Sequence, residues 1–179
     1  NTQVSAPMNL PSGKVQYDIT GGTRPGGGTN LFHSFGDFNV PTNNLANLLN
    51  DSGLATSNIL GRVTAGNPSN VFGTIQTTGF GNANLFLMNP AGIILGPAAT
   101  LNLGGMATFT TADYLRLVDG SLFHGTPNAA ADALLSAAPV VFLFRHGRGH
   151  SDFEAYEDFL QNARDPATIH AMCEDYRAA

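Results

Sequence analysis

The chain is poor in the residues that usually announce a chemistry. It has one cysteine, Cys173, and no tryptophan. A single thiol allows neither an intramolecular disulfide nor a cysteine-rich zinc site. Charged residues make up 12% of the 179, against about 25% in an ordinary soluble domain. Only eight are Lys or Arg and the formal net charge is −5. No basic stripe exists to neutralise phosphates, which excludes a nucleic-acid binder. No apolar run approaches the roughly 20 residues of a membrane-spanning helix. The longest, Ala137–Phe144, has the length of a buried strand. Asn1 stands where an initiator Met would, with no charged-then-apolar leader behind it. The expectation is a leader already removed or a start inside a longer protein.

What is present is glycine, asparagine and short apolar pieces. With 42% apolar residues the chain has enough to bury, and disorder is not expected. A seam divides it. Up to Phe144 there are nineteen glycines, sixteen asparagines, ten charged residues and no glutamate; beyond it are two glycines, one asparagine and eleven charged residues. Composition shifts of this kind mark boundaries, so residues 1–144 and 145–179 are read as separate parts.

The first part is all-β by its spacing. Strand pieces are expected at Val15–Ile19, Ile59–Thr64, Val71–Gln76, Asn84–Met88, Ile93–Leu95, Thr100–Leu103, Ala107–Thr111 and Tyr114–Val118. Leu31–Val40 is read as two bent strand pieces, and Pro41–Ser57 as a short helical turn or irregular loop. Pieces starting about every 8 to 13 residues imply a sandwich, a barrel or a solenoid. Within Asn82–Gly105 the strands are of three to five residues with tight corners. Hairpins would want Asn-Gly or Asp-Gly loops between longer alternating strands, so a coil of parallel strands is the better fit. Asn89-Pro90-Ala91-Gly92 has the residues of a type I turn: Asn bonding its own backbone, Pro presetting φ, Gly at the fourth place.

The second part is expected to be two short amphipathic helices. Ser151–Glu154 fits a capping box, and Asp165-Pro166 an N-cap followed by a helix-starting proline.

Catalytic and metal patterns are weak. Arg145-His146-Gly147 after an apolar strand is the setting of a histidine phosphatase, but too few Arg and His residues follow. His146 and His150 are four apart, yet Gly147 and Gly149 disfavour the helix such a metal pair needs. The six aspartates before Phe144 are never closer than six residues in sequence, so acid–base carboxylates or a calcium site are not indicated. The reading is no enzyme, no metal and no cofactor. A polysaccharide-binding or polysaccharide-cleaving β-solenoid is the alternative.

Several long motifs occur in an order known from one family. NLFHSFGDFNVP (Asn30–Pro41), ILGRVTAGNPSNVFGTIQ (Ile59–Gln76), NANLFLMNPAGIILGPAATLNLGG (Asn82–Gly105) and TADYLRL (Thr111–Leu117) resemble the N-terminal secretion domain of filamentous-haemagglutinin-like exoproteins. These are the passengers of two-partner secretion in Gram-negative bacteria. The resemblance covers about residues 15–143. It implies a right-handed parallel β-helix, recognised in the periplasm by a partner outer-membrane β-barrel that carries the passenger to the cell surface or medium. A nearly cysteine-free chain suits passage through a pore unfolded. Host-cell or matrix glycans are conceivable ligands of a full-length adhesin of this kind.

Two turns are the recognition or folding candidates that the resemblance implies. Asn67, Pro68, Ser69 and Asn70 fall at the family's first Asn-Pro turn. Asn89, Pro90, Ala91, Gly92 and Ile93 match its second, with Ala91 where Asn is frequent. The family's further coils are missing after Phe144, so the β-helix is expected to be truncated. Residues 153–179 resemble the cap helices of fluoroacetate-type haloacid dehalogenases, without that enzyme's catalytic residues. The tail is therefore read as foreign to the first part, and as a possible cover for the coil's open end.

Overall fold

Successive strand residues point to opposite faces, and in Asn84–Met88 both faces are apolar. Leu85 and Leu87 enter one buried cluster, Phe86 and Met88 another. A strand buried on both sides reads as a continuous apolar run, and that places it between two layers. In the computed structural model, which describes residues 1–136, 138, 140 and 141, one layer is the interior of a parallel β-helix. The other is a small sheet laid on its outside. All the described residues lie in the first of two units into which the chain divides, Asn1–Arg145.

The strands are β1 Thr2–Val4, β2 Met8–Asn9, β3 Val15–Gly21, β4 Asn30–Phe35, β5 Asn44–Leu49, β6 Asn58–Val63, β7 Ser69–Val71 and β8 Thr74–Thr78. They continue as β9 Asn84–Met88, β10 Ile93–Leu95, β11 Thr100–Asn102, β12 Ala107–Thr110, β13 Tyr114–Leu117 and β14 Leu122–His124. A one-turn helix α1, Ala129–Asp132, precedes β15, Val140–Val141. Three parallel sheets form the walls: β3-β5-β8-β11, β4-β6-β9-β12, and β7-β10. Val40 completes the third wall by a parallel bridge to Val71. Each turn of chain visits the walls in that order, giving three coils, with β11 and β12 beginning a fourth. Strand register partners lie between 29 residues apart, as Val15 opposite Asn44, and 22, as Leu85 opposite Ala107, and the Val40–Val71 bridge spans 31. Ile19, Leu31, Val40, Leu48, Ile59, Val71, Ile75 and Leu85 fill the interior.

Three expectations need correction. Residues 44–49 are strand, not helical turn: Leu45, Leu48 and Leu49 have helical spacing, but β5 is held in parallel by β3 on one side and β8 on the other. Val71–Gln76 is two strands broken at Phe72-Gly73, where a Cβ on Gly73 would lie 2.4 Å from the Pro41 carbonyl oxygen. Tyr114–Leu117 leaves the coil and pairs antiparallel with β14 and β15. Its hairpin turns at Asp119-Gly120, an Asp-Gly signal that the sequence does carry. Ser136 and Ser121 hydrogen-bond the Asp119 carboxyl and hold it below its usual value. The hairpin sits where it does because the outer face of the second wall is apolar. Leu115, Leu117 and Phe123 bury that face along with themselves, at about 1.5–3 kcal/mol per large side chain.

The start of the coil is covered. β1 and β2 pair antiparallel with β3, which occupies an edge that would otherwise invite another chain. Under this cover His33 is 1% exposed, and its Nδ1 lies 3.1 Å from the Thr2 hydroxyl. Burial, reinforced by Arg24 and the chain's amino terminus, lowers its pKa to about 4. The folded state therefore binds this proton less readily than the unfolded chain, and stability falls as pH drops from about 6.5 towards 4. The loss attributable to His33 should be on the order of 3 kcal/mol. Denaturant titrations of wild type and His33→Gln across that window measure it. The variant should lack this part of the slope.

Candidate functional site

The corner between the second and third walls carries both Asn-Pro motifs, one coil above the other. The second is a closed turn: Gly92 N–H donates to the Asn89 carbonyl at 3.0 Å, and Ala91 N–H to Asn89 Oδ1 at 3.0 Å. Gly92 has φ 121°, a region that side chains make costly. The first motif differs from the turn expected. Its bend lies at Ala65-Gly66, and Ser69 and Asn70 already belong to β7.

Asn89 ties the two together. Its side chain is completely buried and donates to the Asn67 carbonyl at 3.0 Å and to Ser69 Oγ at 2.9 Å. Ser69, equally buried, donates its backbone N–H to the Gly92 carbonyl. The column continues upward into the first coil. Asn67 Nδ2 donates to Asp37 Oδ1 at 3.0 Å, and the Asn70 backbone N–H to Asn39 Oδ1 at 2.9 Å. Pro90 packs against the hairpin, since a Cβ on Gly125 would come 2.5 Å from its Cγ.

The candidate residues thus divide by environment. Asn89 and Ser69 are buried; Asn70, Gly92 and Ile93 are half-buried; Asn67, Pro68, Pro90 and Ala91 are exposed. The first two groups build the corner, and the last is what another molecule can touch. Sequence reasoning gave all of them one role, because turn propensity does not distinguish an asparagine facing inward from one facing out.

Two further constellations were not anticipated. Arg62, on the outer face of β6, is buried. It makes a two-pronged ion pair with Asp132 at 2.7 and 2.8 Å, reaches Ser34 Oγ and the His124 carbonyl, and lies 5.0 Å over the Phe123 ring. It fastens the hairpin and α1 to the coil. The second is a pair of amide ladders, Asn47–Gln76–Asn102 on the first wall and Asn30–Asn58–Asn84 on the second.

Asp18, Asp37, Asp119 and Asp132 are engaged in separate contacts rather than gathered. Among the described residues no three His, Cys, Asp or Glu stand where they could share a metal ion, and every buried side-chain nitrogen or oxygen has a hydrogen-bond partner. A cleft of about 330 Å³ opens at the start of the coil between Val4, Tyr17, Phe38 and Val40, with Asp37 its one carboxylate. No helix among the described residues is long and apolar enough to cross a membrane. Arg145, His146 and His150 and the expected tail helices lie outside the described residues.

The family model described as TPS secretion domain matches residues 1–137. No curated protein and no solved structure matches the chain. The likeness of the tail to a dehalogenase cap is not supported, because the match ends at residue 137 and no curated protein joins the tail to that enzyme.

Proposed function

Because the chain belongs to the TPS secretion-domain family, whose members occur in proteins secreted across the outer membrane, we propose that it is the secretion signal of a large adhesin-like exoprotein. A partner β-barrel in the outer membrane recognises it from the periplasm and passes it to the cell surface or medium. The observation that carries this is the family match over residues 1–137, with the two Asn-Pro motifs of that family stacked in one corner. In this reading the buried Asn89 and Ser69 set the corner's shape. The transporter reads the exposed Asn67, Pro68, Pro90 and Ala91. Once outside, the folded coil is the template on which following coils stack, each burying the apolar end of the one before.

Co-expression tests the proposal. The protein should reach the medium when its cognate barrel is present and stay in the cells when it is absent. Equal release in both strains would remove the transporter from the account. Asn89→Asp and Gly92→Asp are poor probes of recognition on their own, since both disturb the corner's geometry. A thermal midpoint must accompany any export measurement on them.

A further inference from the structure

The lower end of the coil has a chemical polarity as well as an apolar mouth. β10, β11 and β12 are the last strands of their walls among the described residues. Leu95 and Leu101 follow Val71 and Ile75 in register. Val71 and Ile75 are fully buried, while Leu95 is 49% and Leu101 45% exposed. Among the described residues no interior layer lies below them.

The outer face of the first wall says more. Asp18, Asn47, Gln76 and Asn102 stand in register on β3, β5, β8 and β11. The Asp18 carboxylate only accepts, and it takes the Asn47 amide at 2.7 Å. That forces Asn47 Oδ1 downward, where it accepts from Gln76 Nε2 at 3.3 Å. Gln76 Oε1 then accepts from Asn102 Nδ2 at 2.8 Å. Every amide donates towards the start of the coil, so the ladder ends on the Asn102 oxygen, which has no partner among the described residues. The second wall runs the same way: Asn84 donates to Asn58, Asn58 to Asn30, and Asn30 to the carbonyls of Ser136 and Ala138.

We infer that the open end selects its next coil by a side-chain amide: the strand that stacks beneath β11 carries Asn or Gln opposite Asn102, between residues apolar enough to cover Leu101. The inference rests on the reading that further coils follow. It adds the chemistry by which a correct register is distinguished from a slipped one, since a one-residue slip would set an apolar side chain against the amide oxygen. A second copy of this chain is a poor occupant. At its upper end the edge of the first wall is already occupied by β1 and β2, and two lower ends brought together would face oxygen to oxygen at Asn102.

Peptide binding to the full chain tests this. The probe is a fluorescein-labelled peptide repeating the segment of β11, Ala-Thr-Leu-Asn-Leu-Gly, with forms bearing Asp or Ala in place of its asparagine. By fluorescence anisotropy the Asn peptide should bind saturably, and the Asp and Ala forms about tenfold more weakly, the equivalent of one hydrogen bond of about 1.4 kcal/mol. On Asn102→Ala protein, the Asn and Ala peptides should bind alike. Equal binding of all three peptides to wild type, or none at the highest soluble concentration, overturns the inference. So does concentration-dependent dimerisation lost on Leu101→Lys, which would make the second copy the occupant. None of these outcomes bears on dependence on the barrel, which export reads separately.

Discussion

Asn89→Asp should lower the stability of the coil by roughly 3–5 kcal/mol, the range for stranding an unpaired charge in a buried polar site. The substitution replaces a buried NH₂ that donates to the Asn67 carbonyl and Ser69 Oγ with an oxygen facing the same carbonyl. The carboxylate has no cation near enough among its described partners to offset its desolvation. Asn89→Ala should cost less, about 1–3 kcal/mol, because it strands hydrogen-bonding groups without burying a charge. Against a total stability of about 5–15 kcal/mol for a domain, the Asp variant should lose a large part of its folded population. Equilibrium unfolding in urea reads both variants. Should Asn89→Asp unfold at the wild-type midpoint, Asn89 is not the tie between the two coils, and the corner must be read as a surface feature throughout.

Arg62→Ala should cost about 3–5 kcal/mol, the usual penalty for breaking a buried pair by removing one partner. The effect should be local. Arg62 contacts Ser34 of β4, the carbonyl of His124 in β14, and Asp132 of α1, so its loss frees the hairpin and the helix from the outer face of the second wall. Amide hydrogen exchange should accelerate in 114–132 and remain slow in β5 and β8, which do not touch it. Arg62→Lys should fall between, because an ammonium keeps the charge and loses the planar fork that meets both Asp132 oxygens. Asp132 is partly open to solvent, so Asp132→Ala should cost less than Arg62→Ala. An unchanged exchange rate in the hairpin of Arg62→Ala would show that apolar burial by Leu115, Leu117 and Phe123 alone holds it.

How much of this could be read from the sequence depends on the range of the interaction. Asn89-Pro90-Ala91-Gly92 is a local signal, and the turn it predicts is there, closed by the Gly92 to Asn89 bond. The short strands of 84–110 were legible for the same reason. Residues 44–49 were not, because leucines three and four apart fit a helix, and only the parallel neighbours on either side, about 29 residues away in each direction, make them strand. The burial of Asn89 depends on a coil some twenty residues earlier. The Arg62–Asp132 pair spans 70 residues and has no local trace. The hairpin is a different case: Asp119-Gly120 between Leu115–Leu117 and Leu122–Phe123 is a recognisable turn signal. Regular spacing after Ala107–Thr110 favoured one more coil strand over it.

The corner has buried groups that shape it and exposed groups proposed to be read by the transporter. The most direct test is export of Pro68→Lys with Ala91→Lys in cells that make the cognate barrel. Both positions are exposed, so the purified variant should keep the wild-type thermal midpoint. The account predicts that most of this variant stays in the cells while wild type reaches the medium. Undiminished export of a normally folded variant would contradict it.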